Sequence, residues 1–238
     1  MMNQRPLRRP NAAASCLSEI PRRGPMPMLK SIVTATAAIC LTAAPALAED
    51  YSIGHSKGAE DAPVTIIEYG SLTCGGCKYF HDKVQPTIEE DYVETGKVRF
   101  IFREVLRNDL DVALVALARC APDDKFFEIT DTIFENQSDI LSAASQGKAM
   151  EKFVEIGTPY GIDSEDAFND CYRDMNIRLD IIEVEKSADA YELHGTPTLI
   201  VNGEEKYVDD DFRSGETFAA WLDKQMPEAS DTPEEQAQ

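Results

Sequence analysis

The 238-residue chain is poor in positive charge, in histidine and in long, strongly apolar runs. It holds 23 lysines and arginines against 43 aspartates and glutamates, a formal net charge of −20. A surface of that sign repels phosphate backbones and anionic lipid, so nucleic-acid and membrane-surface roles are disfavoured. The three histidines, His55, His81 and His194, are scattered with no ligand spacing. A structural zinc site takes four ligands, and only two isolated cysteines would be left to complete one. No Met/His cluster lies beside the cysteines, which counts against a copper module. No metal and no cofactor is expected.

The apolar run that comes nearest to an anchor is Ser31–Ala48. It has no charge, but it is short and rich in alanine and threonine, whereas a spanning helix needs ~20 strongly apolar residues. Arg22, Arg23 and Lys30 precede it, and it ends in Ala46-Leu47-Ala48, a small-residue cleavage pattern. Residues 1–48 are therefore expected to be a signal peptide, cleaved after Ala48, with Met26 or Met28 as alternative starts. Cys40 follows Ile39, a poor lipoprotein context, and leaves with the leader. Gly24-Pro25 after Arg22-Arg23 argues against the twin-arginine route. Without residues 1–48 the chain keeps 17 basic and 42 acidic residues, a net charge of about −25. That charge is spread along the chain, as on a solvated soluble surface. Its length suits one domain, or one domain carrying an insertion.

Four cysteines remain: Cys74, Cys77, Cys120 and Cys171. In an exported protein disulfides persist. One pair is close in sequence, as redox catalysis requires; the other is distant, as a structural staple requires.

Residues 49–62 read as polar and irregular. Val64–Tyr69 reads as a buried strand, and helical spacing runs from Cys77 to about Val93, with a kink at Pro86. Val98–Phe102 reads as a second strand. From Leu106 to Asp170 the apolar spacing is helical throughout, and Asp174–Leu193 reads as one further helix. Pro197–Val201 reads as a strand, Asn202-Gly203 as a two-residue hairpin turn, and Lys206-Tyr207-Val208 as the returning strand. Ser214–Met226 reads as a final helix with Ser214 as N-cap. The tail 227–238 is acidic, lacks large apolar residues and is expected to be disordered.

Cys74-Gly75-Gly76-Cys77 sits at a strand-to-helix junction, where free backbone N–H groups and the helix dipole favour a thiolate. Disulfide exchange needs an exposed attacking thiolate and a second thiol to resolve the mixed disulfide. Cys74 suits the first role, and Cys77, one turn inside, suits the second. The two glycines add neither bulk nor charge. Thr196-Pro197 directly precedes a strand; taken alone, an X-Pro bond is trans in ~95% of cases.

The segments Glu68–His81 and Gly195–Gly203, in that order and separated by a helical block, resemble the DsbA-like branch of the thioredoxin superfamily. The resemblance covers about Val64–Met226. It implies an α/β, thioredoxin-like fold with an inserted α-helical domain. The thioredoxin-like domain would comprise 49–105 and 176–226, and the insertion 106–175. The resemblance also implies that Pro197 is a cis-proline facing the sulfurs, that Thr196 offers its backbone to an extended peptide, and that Glu68 is a buried acid moving protons at Cys77. Taken alone, Glu68 reads as a strand-end carboxylate in water. His81 reads as a helix-surface residue, and His55 and His194 as ordinary loop or helix-end residues. Cys120 and Cys171, near the two ends of the insertion, are expected to form a structural disulfide, with two buried thiols as the alternative.

One departure matters: strongly oxidising members of the branch have Pro-His between the cysteines, and this chain has Gly-Gly. The potential is therefore expected between the DsbA and thioredoxin values, ~−120 and ~−270 mV. The implied function is a periplasmic dithiol oxidase that passes its disulfide to folding exported proteins with cysteines. A DsbB-like membrane reoxidase would regenerate it, and the chain would act as a monomer. The alternatives are a disulfide isomerase or reductase and, in a different class, a non-catalytic chaperone or metal-binding module.

Overall fold

The computed structural model describes residues 50–191, 193–206 and 213–227. The expected leader, the Tyr207-Val208 part of the returning strand and the tail beyond Pro227 lie outside the described residues. Among the described residues no helix is long and apolar enough to cross a membrane.

Among the described residues the first elements are β1 (His55–Lys57) and β2 (Val64–Gly70), then α1 (Gly75–Lys83), α2 (Gln85–Ile88) and a π-helical turn, Glu89–Val93. β3 (Val98–Glu104) follows, and then α3 (Asp109–Cys120), α4 (Phe126–Glu135), α5 (Gln137–Ser145), α6 (Ala149–Gly157) and α7 (Glu165–Tyr172). α8 (Met175–Ala188) leads back to the sheet through β4 (Thr198–Val201) and β5 (Glu204–Lys206), and α9 (Gly215–Leu222) closes the fold.

The sheet order is β1-β3-β2-β4-β5. β2 and β3 are parallel, as a strand–helix–strand crossover makes them, and the other pairs are antiparallel. All seven residues of the central β2 are buried. One of its faces supplies Val64 and Ile66 to the main core, which continues into the helical block through Leu114, Leu117, Phe126, Ile133 and Phe153. The other face supplies Ile67 and Tyr69 to a smaller core with Ile101 and Ile200, against which Ala188, Tyr191 and Leu193 pack.

Several local rules explain the elements. Pro86 has no N–H for the carbonyl one turn back, so α1 ends at Lys83 and a new helix starts at Gln85. Asn202 and Gly203 both have positive φ, 51° and 83°, as the tight hairpin requires. Asn202 Oδ1 also accepts a hydrogen bond from Thr65 N, 2.9 Å. Ser214 and Thr217 form a reciprocal capping box on α9.

Two expectations are corrected. The segment 49–62 is not irregular throughout: His55–Lys57 pairs with Phe100–Phe102. Three residues are too few to show an alternating pattern, and β3 supplies the partners. The long helix stops at Ala188 rather than at Leu193, because Tyr191 and Leu193 turn inward onto the second core.

Two links tie the helical block to the sheet and to itself. Arg119 on α3 forms a two-point ion pair with Glu104 on β3, at 2.8 and 3.0 Å. Both side chains are nearly buried, which strengthens the pair and raises the cost of losing either partner. Cys120 at the end of α3 is joined to Cys171 on α7 in a disulfide, with Cα atoms 5.9 Å apart. The bridge spans 51 residues, and a loop of that length is worth about 4 kcal/mol in the chain-entropy model. Replacing both cysteines with serine should lower the urea unfolding free energy by about that amount. An unchanged midpoint would show that the bridge does not constrain the unfolded chain.

Candidate active site: a thiol pair at a helix N-terminus

The register of β4 against β2 builds the site. Thr198, the first residue of β4, lies opposite Tyr69, next to the end of β2. The residues before β4, Thr196-Pro197, therefore run beside the residues that follow β2 and lead to Cys74. The Thr196-Pro197 bond is cis. Thr196 O lies 3.2 Å from Cys74 Sγ and accepts a hydrogen bond from it when the thiol is neutral.

Cys74 is the N-cap of α1, with extended φ and ψ of −86° and 125°, and no acidic residue occupies the first turn of that helix. The positive end of the helix is thus left to the sulfur. The Cys74 pKa is lowered to about 4: the Cys77 thiol donates to it, Thr196 and the Cys77 and Gly76 amides add to this, and burial opposes. The buried Thr196 hydroxyl has no hydrogen-bond partner of proper geometry in the protein. Its proton is therefore free to turn toward an anionic sulfur nearby.

Cys77 is the opposite case. It is fully buried. Burial pushes its thiol well above the ordinary range, and its hydrogen bond to Cys74 and the charge of Glu68 push in the same direction. The Ser71 amide donates to its sulfur at 3.3 Å and opposes the shift. The pair therefore holds one thiolate and one thiol, and the charged sulfur belongs to the less buried residue: Cys74 is 8% exposed rather than openly accessible, and Cys77 is 0% exposed.

Glu68 is not a strand-end carboxylate in water; it is 2% exposed. Its Oε1 has no hydrogen-bond partner. Burial, and then the Cys74 charge, push its pKa up to about 8, with Lys57 opposing. At neutral pH it is a protonated acid, and it is close enough to Cys77 that its charge, once ionised, raises that thiol further.

The glycines differ from each other. A Cβ on Gly75 would meet open space, whereas one on Gly76 would sit 3.3 Å from Pro197 Cδ and 3.4 Å from Thr196 O. The second glycine lets the helix start lie tight against the cis-proline loop.

The histidines are not all as expected. His81 is no surface ornament: its ring stacks on Phe134 at 4.9 Å, and Nε2 lies 3.0 Å from Asp131 Oδ1 on α4. Burial opposes its protonation, but Asp131 and Asp82 outweigh that and raise its pKa. His55 is a strand residue, stacked on Phe126 at 3.4 Å, and burial lowers its pKa to about 4. His194 lies exposed in the loop before Gly195. Among the described residues no cluster of three or more His, Cys, Asp or Glu could hold a metal ion.

Two residues near the site were not singled out from the sequence. Asp111 on α3 and Gln137 on α5 both reach the loop that leads to Cys74. Polar side chains on amphipathic helices read as solvated faces, so only the fold reveals them.

An asymmetric thiol pair at the head of a helix, facing a cis-proline loop on a mixed sheet, defines a thioredoxin-fold protein equipped for thiol–disulfide exchange. A family model described as Thioredoxin matches residues 52–224, and the chain belongs to that family. The solved structure of α-DsbA1 from Wolbachia pipientis superposes with a TM-score of 0.58 at 24% identity, covering 71% of this chain and 88% of that one. That of oxidised BdbD from Bacillus subtilis gives 0.59 at 19% identity, covering 72% and 92%. The fold is thus the DsbA-like form, a thioredoxin fold with helical content. A Rickettsia bellii protein provisionally named as a protein-disulfide oxidoreductase is 29% identical over 173 residues, 72% of this chain and 64% of the relative. The chain thus spans less than two thirds of that relative's length.

The two shifted groups have opposite effects on stability. Folded Glu68 keeps its proton to about pH 8, against 4.5 for the ordinary group, so stability falls as pH rises through that window. Folded Cys74 loses its proton near pH 4 rather than 9, so in the reduced protein stability rises between those values. In the disulfide form Cys74 does not titrate, while the burial of Glu68 remains. Oxidised protein should therefore lose on the order of 3 kcal/mol between about pH 5 and 8, and Glu68→Gln should abolish that slope. In reduced protein, ultraviolet thiolate absorbance should appear with a midpoint near 4 and vanish in Cys74→Ser. A midpoint in the ordinary thiol range would contradict the assignment of Cys74 as the charged sulfur.

Proposed function

We propose that this chain is a protein thiol–disulfide oxidoreductase working as a periplasmic dithiol oxidase. The observation that carries the reading is the Cys74 sulfur, charged at the head of α1 and set against the backbone of Thr196.

In the proposed cycle the resting state is the Cys74–Cys77 disulfide. A substrate thiolate attacks Cys74 Sγ, forming a mixed disulfide and releasing the Cys77 sulfur. Cys77, buried and averse to charge, takes a proton from protonated Glu68. A second substrate thiolate then attacks the substrate sulfur of the mixed disulfide. The new substrate disulfide leaves, and Cys74 departs as a stable thiolate, a good leaving group. Two substrate thiols are oxidised, and the Cys74–Cys77 disulfide is reduced to a thiolate and a thiol. Thr196, with its backbone beside the reacting sulfur, pairs with an extended substrate peptide across the cis-Pro197 turn.

Residues 1–48 direct export and are removed after Ala48, residues 106–175 form the helical insertion, and the monomer is the working unit. The substrates are folding exported proteins with cysteines, and a DsbB-like membrane partner restores the disulfide. Gly75-Gly76 removes the histidine of the strongest oxidants. The donors around Cys74 supply much of what that histidine would, and they support the oxidising half of the ~−120 to ~−270 mV window.

Acid-quenched alkylation in the intact cell tests the direction. A Cys74–Cys77 pair found mostly oxidised supports the oxidase, and one found mostly reduced supports an isomerase or reductase. Purified oxidised protein should also oxidise a reduced, unfolded secretory protein, and Cys74→Ser should abolish this. Retention of activity by Cys74→Ser would favour a non-catalytic chaperone.

A further inference from the structure

Asp111, in the first turn of α3, has no exposed surface. Its carboxylate is met by donors on every side. The Ser71 hydroxyl shares its proton between Oδ1 and Oδ2, at 3.0 and 3.1 Å. Thr73 N donates to Oδ1, and the Thr73 hydroxyl and Arg107 N donate to Oδ2, each at 3.0 Å. Each carboxylate oxygen thus faces a backbone N–H. An amide side chain, in either orientation, would set its own NH₂ against one of them, so only a carboxylate satisfies the set.

Gln137, on α5, holds the same loop from the other side. Its Nε2 donates to Leu72 O at 2.9 Å and to Cys74 O at 3.1 Å. Between them, the two side chains bind Ser71, Leu72, Thr73 and Cys74. Ser71 in turn touches both cysteines: its N–H donates to Cys77 Sγ, and its O accepts from Cys74 N at 3.1 Å.

We propose that Asp111 and Gln137 are positioning residues through which the helical block holds Cys74 in place in the reduced protein and so stabilises the dithiol relative to the disulfide. The inference rests on the redox reading of the pair. The groups that favour the Cys74 anion act only at hydrogen-bonding distance, so they require the sulfur to stay where it is. In the disulfide state a covalent bond to Cys77, itself inside α1, does that. In the dithiol state the loop does it. The clamp therefore counts mainly in the reduced state, and stabilising the reduced form makes a stronger oxidant.

The direction of the effect separates positioning from plain electrostatics. Neutralising a nearby carboxylate would by itself favour a thiolate, whereas loosening the loop disfavours it. The experiment uses the full chain carrying Asp111→Asn or Gln137→Leu. Each is equilibrated with reduced and oxidised glutathione and trapped by alkylation, and the thiolate absorbance is followed against pH. Each variant should shift the equilibrium about tenfold toward the protein disulfide, ~30 mV more reducing. The thiolate should appear about one pH unit higher. An unchanged equilibrium, or a shift toward the dithiol, overturns the inference. Should Asp111→Asn fail to fold, Gln137→Leu, which removes no charge, decides the question on the same outcomes. Unaltered protein that never exchanges with glutathione would overturn the redox reading and this inference together. Normal exchange with unaltered variants overturns the inference alone.

Discussion

Two sulfurs one helical turn apart cannot both be charged, and the site is organised around that constraint. Cys77 lies where water does not reach, so it keeps its proton and donates a hydrogen bond to Cys74. The same hydrogen bond raises one thiol and lowers the other. The helix N-terminus, the Gly76 and Cys77 amides and Thr196 all act on the sulfur this asymmetry has already selected. Glu68 follows from the same logic: an acid buried beside a thiol that cannot hold charge must itself stay neutral at neutral pH, and it is then the available proton source.

The asymmetry depends on position, and position comes from two directions. The sheet supplies one: antiparallel pairing of β4 with β2 delivers the cis-Pro197 turn beside Cys74 with no freedom of register, since a one-residue slip would exchange the two faces of β4. The helical block supplies the other, through Asp111 and Gln137. That block is itself anchored by the Arg119–Glu104 pair to β3 and by the Cys120–Cys171 bridge across its length. A buried ion pair contributes little net stability, but it fixes geometry, and here geometry is what the sulfur needs.

What the sequence made legible has the same physical boundary. β2 and β4 are buried on both faces and read as apolar runs, and β3 reads as an alternating, partly β-branched and aromatic segment; Asn202-Gly203 and Ser214 are local signals whose chemistry acts within three residues. Cys74 and Cys77 were readable because their spacing alone defines one helical turn. By contrast, β1 exists only because β3 offers an edge to His55–Lys57. Ala188 ends α8 because Tyr191 and Leu193 have a core to enter. His81 and Asp131 are 50 residues apart, and Ser71 and Asp111 are 40 apart. No periodicity joins such pairs, and each polar partner, seen alone, resembles a solvated helix face. The environment of Glu68 was legible only through family resemblance, since a single carboxylate in an apolar strand does not reveal its own burial.

Gly75-Gly76 is where sequence and structure pull in different directions. Set against the Pro-His that the family resemblance leads one to expect, the absence of a histidine between the cysteines removes a charge and a donor from the thiolate, and a weaker oxidant follows. In three dimensions the missing side chain allows a close approach: Gly76 admits Pro197 and Thr196 to within 3.3 and 3.4 Å of where a Cβ would stand. That approach brings the Thr196 hydroxyl and backbone up to Cys74. The glycine thus exchanges one stabiliser of the anion, a charged ring, for another, the Thr196 hydroxyl of a tightly docked loop. The first works through charge and tolerates looseness. The second works only at contact, which is why a chain with glycines between its cysteines depends on the firm hold that Asp111 and Gln137 keep on the loop before them.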